Sequence, residues 1–170
     1  MATHDDLAAQ VDAAFTEQLK DAADTAYTLM GAFTVACRAH TRGETTEGEN
    51  ILYRAITDSD TPTRTAMHLC AAGAGVIASL LDDAPADCEL HGPNCRCDGM
   101  AEFDLDAAGN SITRTALMLC NATVRCDHDA MSTLLTDTYN TGGFAQVRWL
   151  LLALVQLHAI VRRDIEETGA

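Results

Sequence analysis

The apolar residues Leu7, Val11, Phe15, Leu19, Ala22, Ala26, Leu29, Phe33 and Cys37 follow one another in steps of three and four. Such steps put side chains on one face of an α-helix, whereas a half-buried strand would need a period of two. The same spacing governs most of the remaining chain. The constraint is therefore to bury several helical stripes against one another, which predicts a mainly α, five- to six-helix single-domain bundle over residues 1–170. With 170 residues, 48% hydrophobic but only 5% aromatic, there is material for one core, and that core is largely aliphatic.

Element ends can be read from capping chemistry. The first helix is expected from Asp5 to about His40, with Thr3 as N-cap, Asp5 and Asp6 in its first turn, and Arg38 and Arg42 near its negative end. Thr46 and Glu49 have the spacing of a capping box ahead of Ile51, Leu52, Ala55 and Ile56, so a short helix is expected there, ended by Asp58 to Asp60. Thr61 followed by Pro62 predicts an N-cap and first helical position for a third helix, apolar nearly all round and running to about Asp82. Helix resumes after Asn110 or Ser111, breaks near Asp127 to Asp129, and ends in a last helix from about Phe144 to Glu167, beyond the linker Asn140 to Gly143. One echo stands out: Thr63 to Cys70 and Thr113 to Cys120 are identical at six of eight positions, which a duplicated helical hairpin with each Cys facing the core would explain, as would coincidence between segments rich in Thr and Ala.

Residues 82–110 break the pattern with two prolines, three glycines, three cysteines and an acidic run, so something other than a helix is expected there. Met100 to Leu105 reads as a short strand leading into a turn. Within the break, at about 84–100, lies the strongest chemical signal of the chain. Cys88, His91, Cys95 and Cys97 place four soft donors within ten residues, and a turn at Gly92-Pro93 brings the two halves toward one tetrahedral ion. Three thiolates and an imidazole fill the tetrahedron and leave no position for substrate, so the expectation is a structural zinc knuckle that pins a loop too polar to pack itself. A loop of unliganded thiols and a zinc/thiol redox sensor are the alternatives. Cys120, Cys126 and His128 could add a second site only if a helix break let them converge. Cys37, Cys70 and, by default, Cys120 lie on apolar stripes and read as buried small hydrophobes.

The formal charge of −14, with a pI near 4.5, repels phosphate backbones and argues against direct nucleic-acid binding. Acidity also keeps a protein in solution, but it suits a basic partner as well. Residues 104–115 fail as a calcium loop, because Ala108 and Thr115 stand where ligands are required. No Gly-rich phosphate loop, His-Glu-x-x-His or Gly-x-Ser-x-Gly motif occurs. An enzyme would have to assemble its site between helices, from residues such as His68, His128 and His158. The acidic start carries no signal-peptide pattern, and the apolar run Trp149 to Val155 is far below the roughly 20 residues of a membrane span. The expectation is a cytoplasmic, zinc-stabilised, non-catalytic regulatory or accessory factor that binds a protein partner. That partner is expected to be basic, and is in the sharper version a nucleic-acid-binding protein whose site this chain occupies. Self-association is open to any apolar stripe left uncovered.

Elemental analysis of untagged protein tests the knuckle. One zinc per chain is expected, lost in Cys95→Ser and in Cys97→Ser, each with a melting temperature lowered by at least about 3 °C. Metal-free wild-type protein would remove the site.

Overall fold

The computed structural model describes residues 24–80 and 103–168. Expectations that fall on residues 1–23 and 81–102 lie outside the described residues, among them the zinc knuckle of Cys88, His91, Cys95 and Cys97. What is described is a mainly α-helical bundle with no strand among the described residues. Helix α1 covers 24–41, α2 Thr45–Thr57, α3 Pro62–Ala78, α4 Ser111–Val124 and α5 His128–Thr168, with a single 3₁₀ turn at Leu105–Ala107 before α4.

Several ends fall where the residues predict. Pro62 opens α3, and Asn110 caps α4 by accepting from the Thr113 amide at 2.8 Å. Asp127 accepts from the Ala130 amide at 2.9 Å at the start of α5. Two ends differ. Helix α2 starts at Thr45, so Thr46 lies inside it and the N-cap position falls to Glu44, whose side chain caps nothing. The Glu44 amide instead donates back to Ala39 at 2.9 Å and its carboxylate accepts from Arg42 Nε at 2.8 Å; this tight link to α1 replaces the capping box. Helix α3 ends at Ala78, earlier than Asp82. The last helix does begin near Phe144 as expected, because Gly142 and Gly143 leave helical geometry and divide α5 into two helices across a kink. Gly143, at φ 62° and ψ −154°, occupies a region that side chains essentially exclude.

The strand expected over Met100 to Leu105 is also corrected at its described end. Asp104 Oδ1 accepts from the Asp106 amide at 2.9 Å, and this local bond closes a turn over Leu105–Ala107 in place of extended pairing. Phe103 pairs with a side chain: its amide donates to Asn121 Oδ1 at 2.8 Å and its carbonyl accepts from Asn121 Nδ2 at 3.0 Å. Buried Asn121 thus satisfies both backbone groups of the chain as it returns to the bundle, as a neighbouring strand would.

The core is aliphatic and centres on the C-terminal arm of α5, where Val147, Leu150, Leu151 and Leu154 are fully or nearly fully buried against α3 and α4. The echoed segments bury corresponding positions, Ala66 and Ala116, Leu69 and Leu119, Cys70 and Cys120, all with no exposed surface. The shared sequence therefore encodes a shared packing face. Phe33 of α1 reaches in between α3 and α5. Its ring lies where a Cβ on Gly73 would come within 2.5 Å of Cε2, and it meets the edge of the His158 ring with centroids 6.3 Å apart.

Two substitutions on α3 separate space from helix propensity. A Cβ added to Gly75 would meet nothing within 4 Å, so Gly75→Ala is expected to raise unfolding free energy by up to about 1 kcal/mol. Gly73→Ala gains the same propensity but collides with a ring that has no free volume, and is expected to lower stability by about 1 kcal/mol net. Urea unfolding of the two variants measures the opposite signs.

Candidate functional site

Burial sorts the candidate residues first. Cys37, Cys70 and Cys120 are core residues, and burial pushes the Cys37 and Cys120 thiols up to about 12 and that of Cys70 higher still. The Cys70 thiol lies 3.7 Å from the Val147 carbonyl, as a weak donor. They are the small hydrophobes their stripes predict. Cys120, Cys126 and His128 do not form a second metal site. The break near Asp127 exists, but Cys120 is sealed inside α4, while half-buried Cys126 sits in the turn beyond it at φ 54° and His128 is exposed. The Asp127 amide donates to Ala122 and the Cys126 amide to Thr123, so Cys126 takes the left-handed position that usually falls to glycine at a helix end. Among the described residues, no group of three His, Cys, Asp or Glu side chains is placed to hold a metal.

The three candidate histidines are also held apart. His128 is exposed at the start of α5. His68 faces an open groove of about 760 Å³ between α1 and α3, whose polar end holds Asp58, Asp60 and Arg64. Partial burial, then Arg64, lowers its pKa. His158 is 6% exposed, and its Nδ1 meets no hydrogen-bond partner among the described residues. Burial, followed by the charge of Arg162, lowers its pKa as well.

The described residues that do converge lie along the seam between α2 and the C-terminal arm of α5. A cleft of about 300 Å³ there is lined by His40, Glu49, Leu52, Asn110, Trp149 and Gln156, among others. It shares Glu49, Leu52 and Leu152 with a smaller pocket of about 30 Å³ bounded by Tyr53, Phe144 and Arg148. Arg148 stands 3.9 Å from Glu49, beyond hydrogen-bond reach, with both side chains about half exposed. Around this seam the only tryptophan of the chain is 61% exposed and Tyr53 is 55% exposed, with Phe144 also on the surface. Sequence periodicity does not single these residues out, because an exposed aromatic next to an apolar stripe looks like one more core position. The one available signal is Trp149 standing out of phase with Val147, Leu150 and Leu154.

An 18-residue window within His128–Glu167 has a mean hydropathy of 1.6 and is long enough to cross a membrane by length and composition alone, although the run Trp149 to Val155 is short. Half of that window is buried inside the bundle, as the central helix of a packed core would be. Compared with protein-family models, curated proteins and solved structures, the chain matches none of them.

His158 makes stability depend on pH. The fold favours its neutral form, so below the ordinary value of 6.5 the unfolded chain takes up a proton that the folded chain resists. Stability is thus full above about pH 6.5 and is lost as pH falls through the lowered native value. His158→Leu is expected to narrow the difference in urea midpoint between about pH 7.5 and about pH 5.5; an unchanged difference would remove His158 as its source.

Proposed function

We propose that this protein is a non-catalytic regulatory or accessory factor that binds a basic protein partner, with the α2–α5 seam as the contact face. One observation carries the reading: of the seven aromatic residues described, only Phe33 is fully buried, while Tyr27, Tyr53, Tyr139, Phe144 and Trp149 are exposed. Large amphipathic rings lose little conformational entropy when they are covered, and tryptophan and tyrosine dominate the energetics of protein interfaces.

Charge supports a basic partner and indicates where the attraction originates. The described residues carry 14 acidic and 9 basic side chains, whereas residues 1–23 and 81–102 carry 11 acidic and 2 basic. Steering of a basic protein would come largely from those two segments and close contact from the bundle. The zinc knuckle of Cys88, His91, Cys95 and Cys97 belongs to this reading as the element that organises the more acidic internal segment. The cytoplasm is its setting.

The test is affinity capture from the native host at low salt with the wild type and with a Tyr53→Ser, Trp149→Ser double variant that retains the wild-type melting temperature. A specific basic protein held by the wild type and reduced at least about tenfold on the variant is expected, since interface aromatics are commonly worth about 1–2 kcal/mol or more. Recovery of no specific partner, or equal recovery on both, would end the reading.

A further inference from the structure

We infer that the cleft of about 300 Å³ between α2 and the C-terminal arm of α5 is a receptor for a guanidinium group, presented as an arginine side chain of the basic partner. The inference rests on the reading of the preceding subsection and assigns it a specific contact. The cleft joins the three features such a group requires. Trp149 supplies an exposed indole on which a planar cation stacks. Glu49 supplies a carboxylate with the two-oxygen geometry that matches the guanidinium fork. Leu52 and Leu152 supply an apolar wall for the aliphatic stem. The Gln156 side chain, which also lines the cleft, adds a neutral acceptor, useful to a group with five N–H donors, whereas Asn110 Oδ1 is already taken by the Thr113 amide.

The chain's own arginine nearby strengthens the assignment. Arg148 approaches Glu49 from the neighbouring pocket, yet stops at 3.9 Å and makes no hydrogen bond with it. The carboxylate is therefore held in a long, half-exposed ion pair with a guanidinium, without the paired hydrogen bonds that a closer one would make. An arginine entering beside Trp149 displaces this weak contact and gains both stacking and paired hydrogen bonds. Arginine is favoured over lysine because an ammonium cannot stack as a plane or bond in a fork.

Trp149 is the only tryptophan in the chain, so its fluorescence reports on the cleft alone. The full-length protein would be titrated at low salt with an acetylated, amidated peptide of arginines alternating with glycines. The matching lysine and citrulline peptides and free arginine would be run alongside. A saturable change in Trp149 emission is expected with the arginine peptide, weaker binding with lysine, and none with the uncharged citrulline. Glu49→Gln is expected to raise the Kd about fivefold or more, and Arg148→Gln, which removes the competitor, to lower it about twofold, as befits partly exposed ion pairs. Asp60→Asn removes one charge away from the cleft and should change Kd by much less. Equal weakening by Glu49→Gln and Asp60→Asn would overturn the cleft while leaving a diffuse acidic attraction intact. Binding of citrulline as tight as arginine would also overturn it, and free arginine binding as tightly as the peptide would exclude a protein-borne ligand. No binding of either cationic peptide would remove the cleft as a guanidinium receptor, while the basic-partner reading stands or falls with the capture experiment.

Discussion

Three helices of this bundle meet at one ring. Phe33, fully buried, projects from α1 into the space left by the missing side chain of Gly73 on α3 and meets the edge of His158 on α5. Close packing makes such a junction directional, since a ring with no free volume fixes the rotation of each helix that touches it. Once His158 faces inward, helical periodicity also sends Leu154, Leu151, Leu150 and Val147 inward, and the opposite side of the same helix must carry Trp149, Gln156 and Ile160. The proposed contact face on α5 is thus the geometric complement of its core face. The seam with α2 is then set from the other side, because α2 is bound to the end of α1 through Arg42, Glu44 and Ala39.

How much of this is legible in the chain varies with the range of the interaction involved. Features written by neighbours three or four residues apart are readable: the stripes of α3 and α4, Pro62 at a helix start, the helix boundaries near Asn110 and Asp127, and the buried thiols of Cys37, Cys70 and Cys120. The start of α2 is not, because a side-chain bond to Arg42 and a backbone bond to α1 outweigh the capping box that Thr46 and Glu49 would have formed. The turn at Leu105–Ala107 is hidden for a similar reason, since Asp104 satisfies its neighbour locally where alternation suggests pairing. Asn121 gives no local sign of its role: a lone amide in an apolar helix gains its meaning only from Phe103, which lies 18 positions earlier. The candidate cleft is also hidden, because it joins residues from α1, α2, α4 and α5 whose sequence separation exceeds any local period.

The distribution of aromatic residues follows from the composition of the core. Leucine, valine, alanine and cysteine from α3, α4 and α5 fill the interior between them, and the echoed faces around Leu69 and Leu119 interlock without large rings. Of the other described aromatic residues only Phe103 packs partly against the core, and the rest lie on the surface, where they expose apolar area to water. Surface so placed is worth retaining where something covers it. Taken with a charge balance that is moderate on the described residues and strongly negative on residues 1–23 and 81–102, the proposed binding of a basic partner would divide long-range attraction from short-range fit.

The buried cysteines have one further consequence. With their thiols shifted to about 12 or above, Cys37, Cys70 and Cys120 hold almost no thiolate at neutral pH and are shielded from reagents. Each sits on a different helix, α1, α3 and α4. Alkylation at these positions therefore proceeds only through openings of the native state, and the rate at each one is a clock for the detachment of its own helix.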